Sequence, residues 1–137
     1  LKKEFDLTIY PNIEFYYEIN NYYLECDIRK LVRALRNAVE NSIRALKNID
    51  KKGIIKFKVW EDGRLSHFAI IDNGEGMNED TQKKILKPYF TTNKKQGGSG
   101  IGTMIMQRVM ELHGGNFAIS SEINKGTEVV FSIPLKQ

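Results

Sequence analysis

Apolar and polar residues alternate in two stretches near the start of the chain. Phe5, Leu7 and Ile9 form the first, Ile13, Phe15, Tyr17 and Ile19 the second, with Pro11 and Asn12 between them. Period-two alternation broken by a turn predicts extended strands. Asn20 and Asn21 make a second turn, and residues 22–26 are short and mixed. From Asp27, a candidate N-cap, to about Lys47 the apolar spacing becomes helical. At about 100° per residue, Ile28, Leu31, Val32, Leu35, Val39, Ser42, Ile43 and Leu46 fall on one side. Arg33, Asn37, Glu40, Asn41 and Arg44 fall on the other.

Ile55, Phe57 and Val59 predict a strand, residues 61–64 a hairpin turn marked by Asp62-Gly63, and residues 65–71 the returning strand. A short helix is expected over 78–87, with Asn78 as cap and Pro88 as stop. A second helix is expected over 103–113, with Ile101, Ile105, Val109 and Leu112 on one face and Gly114-Gly115 as its C-terminal stop. Two last strands, 116–122 and 127–135, meet at a turn over 124–126. Alternating strands imply a sheet covered on one face, and helices with one apolar stripe imply the covering layer. The fold class that follows is an α+β two-layer sandwich.

The chain has 137 residues, enough for one domain. Its 41% hydrophobic and 28% charged composition is that of an ordinary globular domain, and no apolar run approaches the roughly 18 residues of a membrane span. Cys26 is the single cysteine, which excludes a disulfide framework and a cysteine metal site and fits a reducing compartment. The chain begins at Leu1 without a visible signal peptide, so a fragment excised from a larger protein is expected. The net charge of +4 is mild, and the densest lysines (83, 84, 87, 94 and 95) suit a solvated loop better than a nucleic-acid face.

Four features carry candidate chemistry. Residues 97–102 read GGSGIG, and a glycine loop feeding a helix presents free N–H groups and a positive dipole end, a place for phosphate. A flexible surface loop before an amphipathic helix gives the same pattern. Asn37 and Asn41 are mediocre helix formers four residues apart, so their amides share one face, with Arg44 a turn further on. An amide oxygen is a hard ligand suited to Mg²⁺ shared with phosphates, although a solvated helix face also accounts for the pair. Asp72 ends an apolar strand and is followed by NGEGM. Its carboxylate can accept from an amine while Gly74 and Gly76 allow close approach, or it can simply cap a turn. The loop between residues 78 and 97, with Tyr89 and Phe90, is long enough to be a lid. No Lys-Ser or Lys-Thr follows the glycines, GxGxxG spacing is absent, and His67 and His113 have no metal-ligand spacing, which excludes a P-loop, a dinucleotide fingerprint and a histidine metal site.

NAVENSIRA, DNGEGM, KPYFTT, GGSGIG, HGG and KGTEVVFSIPL, in that order, resemble the catalytic and ATP-binding domain of sensor histidine kinases. That domain belongs to the superfamily shared with type II topoisomerases, mismatch-repair ATPases and heat-shock chaperones. The resemblance covers about residues 24–135, and the KPYFTT and KGT wording leans toward nitrogen-regulation-like kinases. It implies a mixed five-stranded sheet under three helices, with ATP and Mg²⁺ as cofactors. By resemblance Asn41 is the Mg²⁺ ligand, with Asn37 beside it and Arg44 on phosphate. Asp72 accepts the adenine amine, and Gly74 and Gly76 belong to the first glycine box. Phe90 lies at the lid, Gly98, Gly100 and Gly102 form the phosphate-facing second glycine box, and Thr127 lies near the adenine pocket.

The chain departs from this pattern in two places. Asn37 stands where hydrolysing relatives often carry a glutamate base, which argues for transfer to a partner rather than hydrolysis. Thr103 replaces a common apolar residue after the second glycine box. The resemblance implies a cytoplasmic domain that donates the γ-phosphoryl group to a histidine on a separate helical domain, absent here, and through it serves a response regulator. The parent is expected to dimerise through that domain, in a membrane or in solution, and the fragment to be monomeric. A serine/threonine kinase of the anti-sigma-factor type, or a non-catalytic nucleotide-binding module, uses the same fold.

Overall fold

The computed structural model describes residues 12–85 and 101–136. In chain order the described elements are β1 (Ile13–Ile19), α1 (Ile28–Ala45), β2 (Gly53–Glu61), β3 (Leu65–Asp72), α2 (Glu79–Ile85), α3 (Ile101–Leu112), β4 (Asn116–Glu122) and β5 (Gly126–Pro134). The strand expected at Phe5, Leu7 and Ile9 lies outside the described residues, as do Pro88, Tyr89, Phe90, Gly98 and Gly100.

The strands form a mixed five-stranded sheet in the order β1-β2-β3-β5-β4. β1 and β2 are parallel, as a connection through α1 requires, and the remaining pairs are antiparallel. This order sets two distinct ends. The end of β3 and the start of β5 meet at one, where Asp72 pairs with Thr127. The β2–β3 hairpin closes the other. There Asp62 Oδ1 accepts from the N–H groups of Arg64 (3.0 Å) and Leu65 (2.8 Å). Since α1 returns the chain between parallel strands, and α3 turns directly into β4, α1 and α3 run antiparallel to each other over the same face.

Alternation along the strands builds the core between sheet and helices. Phe57, Ile70 and Val129 stand in one cross-strand row, and Val59, Phe68 and Phe131 in the next. Phe131 is fully buried, opposite Phe68 and 5.8 Å from the ring of Phe117. The other face carries Glu14, Tyr16 and Lys56. There Trp60 stacks on His67 at 5.1 Å. That imidazole also hydrogen-bonds Asp62 Oδ2 (2.9 Å) and Ser132 Oγ (2.8 Å).

The helices depart from the expected stripes in detail. In α1, Leu31, Leu35, Val39, Ser42 and Ile43 are buried as read, with Leu46 at the C-cap, but Ala34 and Ala38 join them, Val32 is only partly buried and Ile28 is 64% exposed. Periodicity assigns a face but does not show how far the neighbouring layer reaches, and Ile28 opens the helix. In α3 the buried residues are Thr103, Met106, Val109, Met110 and the following His113, while Leu112 is half exposed. Its apolar residues are spread around the helix, so spacing alone does not choose a face. α3 begins at Ile101, two residues earlier than expected, and closes as read. Gly114 takes a φ of 69° and donates to Glu111 O, and Gly115 donates to Met110 O at 2.8 Å.

Phe131→Ala removes a ring that is enclosed on all sides by side chains unable to collapse far. It is expected to destabilise the fold by about 3–5 kcal/mol in urea denaturation with an unchanged m-value. A loss under about 1 kcal/mol contradicts this account of the core.

Candidate nucleotide site

Of the residues singled out in the sequence, Asp72, Gly74, Gly76 and Thr127 meet at one end of the sheet. Asp72 is the last residue of β3, and its side chain points to the covered face, where it is only 6% exposed. Its Oδ1 accepts from Gly74 N–H at 2.9 Å. The Ser42 hydroxyl and the Thr127 backbone N–H donate to the same carboxylate. Burial raises its pKa above the ordinary carboxylate value, and these three donors oppose that rise. Ser42, on the core-facing stripe of α1, is a donor aimed at Asp72.

Asn73 and the two glycines hold the loop that follows. Asn73 Oδ1 accepts from Ile54 N–H (2.7 Å) and its Nδ2 donates to Lys52 O (3.0 Å), which clips the loop to β2. A Cβ on Gly74 would lie 2.7 Å from Ala45 O, and one on Gly76, where φ is 70°, would lie 2.0 Å from Glu122 O. The glycine requirement therefore comes from protein backbone packing on both sides, from the end of α1 and from the β4–β5 turn. Glu75 N–H donates to Ala45 O (3.2 Å), and Glu75 O accepts from Asn124 N–H (2.8 Å). Gly126, at the start of β5, meets the same limit, since its Cβ would lie 2.0 Å from Asp72 O.

Ser121 and Thr127 close the site on the β4 side. Ser121 Oγ accepts from Met77 N–H (2.8 Å), donates to Gly126 O (3.0 Å) and lies 2.8 Å from Thr127 Oγ1. Gln82 of α2 donates to Met77 O and Ser121 O. Thr127 is thus a neighbour of Asp72, and Ser121, which no sequence pattern marked, ties α2 to the sheet.

On α1, Asn37, Asn41 and Arg44 share a partly exposed face. Asn37 Nδ2 donates to Arg33 O (3.0 Å) and so serves its own helix. Asn41 Oδ1, the hard oxygen, accepts from Arg44 Nη2. Arg44 Nε is buried without a partner, an orphan donor beside this pair. Gly102 lies in the first turn of α3. Phe90, Gly98 and Gly100 lie outside the described residues. Among the described residues no group of three or more His, Cys, Asp or Glu comes together, so the donor set offers a cation one amide oxygen rather than a full cage.

The raised pKa of Asp72 has a sign that can be measured. Its contribution to stability is fully present below the ordinary value of 3.8 and is lost as pH rises through the raised folded value. Asp72→Asn, which removes the buried charge, is expected to gain on the wild type in unfolding free energy as pH rises from about 3.5 to 7. A difference that stays flat across this range contradicts the buried-charge reading.

Comparison with known proteins agrees with this geometry. The family model of histidine kinase-, DNA gyrase B-, and HSP90-like ATPases matches residues 26–137. A putative sensor protein of Shewanella frigidimarina is 32% identical over 111 residues, 81% of this chain and 17% of its own length. The alginate biosynthesis sensor protein KinB of Pseudomonas aeruginosa is 30% identical over 112 residues, 82% of this chain and 18% of its own. The chain thus spans under a fifth of the length of these two relatives. Among solved structures, the catalytic domain of histidine kinase ThkA superposes with a TM-score of 0.78 at 28% identity, covering 92% of this chain and 82% of that one. With the family model matching residues 26–137, the chain belongs to the histidine kinase-, DNA gyrase B-, and HSP90-like ATPase family.

Proposed function

We propose that this chain is the ATP-binding catalytic domain of a larger sensor histidine kinase, which binds Mg²⁺–ATP and passes the γ-phosphoryl group to a histidine on a separate helical domain. The observation that carries the reading is the gathering of three kinds of group at one sheet end. Asp72 is a buried acceptor matched to an exocyclic amine. Asn41 Oδ1 and Arg44 Nη2 satisfy each other. Arg44 would hold a phosphate oxygen of a bound triphosphate and Asn41 Oδ1 would hold its Mg²⁺, which would supply charge neutralisation there. The N-terminus of α3, following the glycine loop, adds backbone N–H groups to the same end. The names of the relatives as sensor proteins support the kinase class over other uses of the fold.

In this reading Asn37 stands beside the phosphates, Gly74 and Gly76 shape the adenine side, and Thr127 flanks it. Phe90, Gly98, Gly100 and Gly102 belong to the lid and phosphate loop. Phosphoryl transfer of this kind rests on positioning and electrostatics. Asn37 is an amide and takes no proton at neutral pH, so base and acceptor come from the helical domain, and a response regulator is served in turn. The domain works in the cytoplasm. Among the described residues no helix is long and apolar enough to cross a membrane.

Calorimetric titration with a non-hydrolysable ATP analogue tests the metal assignment. Wild type is expected to bind more tightly with Mg²⁺ than without it, and Asn41→Ala to lose most of that difference while still binding the metal-free analogue. An Asn41→Ala variant with an undiminished Mg²⁺ effect contradicts the assignment.

A further inference from the structure

His113, of the HGG motif, has been given no role above, yet it is 5% exposed and bonded at both ring nitrogens. Its Nδ1 lies 2.8 Å from Val109 O, one turn back on α3. A carbonyl only accepts, so Nδ1 carries the proton. Its Nε2 accepts from the backbone N–H of Asp27 at 2.9 Å. The two bonds together select one neutral tautomer, Nδ1–H with Nε2 bare.

The Asp27 N–H needs an outside acceptor for a reason visible in the sequence. Asp27 is the N-cap of α1, and its side chain accepts from Lys30 N–H. In a capping box the residue at this third helical position returns the favour through a Glu or Gln side chain. Here that residue is Lys30, whose ammonium only donates, and its Nζ lies 3.6 Å from Asp27 Oδ2 instead. The missing half of the cap comes from α3, across the interhelical space.

This cross-cap has a consequence at the opposite end of the sheet. α3 has 12 residues and is about 18 Å long at the ordinary helical rise. Because it runs antiparallel to α1 with its C-terminus pinned at Asp27, its N-terminus comes level with about Val39, between Asn37 and Asn41. The C-terminus of α3 is itself fixed to the sheet, since a Cβ on Gly115 would lie 2.1 Å from Ser132 O. We propose that His113 is a positioning residue for the nucleotide site. Its cross-cap to Asp27 sets the axial register of α3 against α1, and so the place of the α3 N-terminus relative to Asn41. This rests on the ATP-binding reading above.

Two near-isosteres separate the cross-cap from a merely local role. Gln places an amide near the Nε2 position and can accept from Asp27 N–H. Asn places one near Nδ1 and keeps only the bond to Val109 O. Titration with a non-hydrolysable ATP analogue and Mg²⁺, well below both melting midpoints, is expected to give wild-type affinity within about twofold for His113→Gln and roughly tenfold weaker binding for His113→Asn. On ligand-free wild type, the imidazole ¹⁵N shifts should show protonated Nδ1 and bare Nε2. A wild type that does not bind the analogue sinks the ATP-binding reading and this proposal with it. Equal affinity of His113→Asn and wild type sinks the proposal alone. Should His113→Asn fail to fold, the imidazole spectrum decides, and a protonated Nε2 overturns the proposal.

Discussion

A carboxylate out of water must be given donors, and Asp72 draws the surrounding elements together to meet that demand. Ser42 reaches it from α1, Thr127 from β5 and Gly74 from its own loop. Each donor fixes an element that carries a further part of the site. Ser42 follows Asn41 in sequence, so the hydrogen bond that satisfies Asp72 also sets the rotation of the asparagine face. Thr127 is the second residue of β5 and meets Ser121, which holds Met77 and Gln82. The cost of burying the charge keeps one strong acceptor in a shaped, partly dry place, which suits recognition of an amine.

The two ends of the sheet divide the work. At the hairpin end the contacts are fully satisfied and tie elements to one another: Tyr22 bridges Trp60 O (3.0 Å) and Ser66 Oγ (2.5 Å), and His113 caps α1. At the Asp72 end, polar groups are left with capacity to spare. Arg44 Nε has no partner, and Asn41 shares its oxygen with a side chain that an anion can draw away. Close backbone packing at Gly74, Gly76 and Gly126 makes this end stiff despite those loose partnerships. A rigid frame around exchangeable side chains is what binding with little reorganisation requires.

Much of this was legible in the sequence, because strand alternation, the Asp62-Gly63 hairpin, the Asp27 cap and the Gly114 stop are local signals with local causes. The asparagine face was legible too, since poor helix formers at helical spacing call for a reason. Other features lay beyond local pattern. Ser42 reads as part of an apolar stripe until Asp72 is brought beside it. Asn73 reads as turn punctuation, and its clip to Ile54 and Lys52 depends on strand register. The expected face of α3 holds for Val109 and, in part, Ile105 but not for Leu112, because apolar residues surround the helix and only tertiary packing selects Met106 and Met110 as well. The glycines of the Asp72 loop are places of close approach, and the approaching atoms in the structure are the protein's own.

The most direct test is to ask whether Asp72 reads an amine. Purine riboside triphosphate, which lacks the exocyclic amino group of ATP, is to be competed against ATP on the wild type and on Asp72→Asn. The account expects the wild type to prefer ATP by roughly tenfold or more, because the analogue leaves one acceptor site of the buried carboxylate unfilled, and expects that preference to shrink in Asp72→Asn. Equal affinity of the wild type for the two nucleotides would contradict it, since Asp72 would then be a structural charge and the base would be held elsewhere.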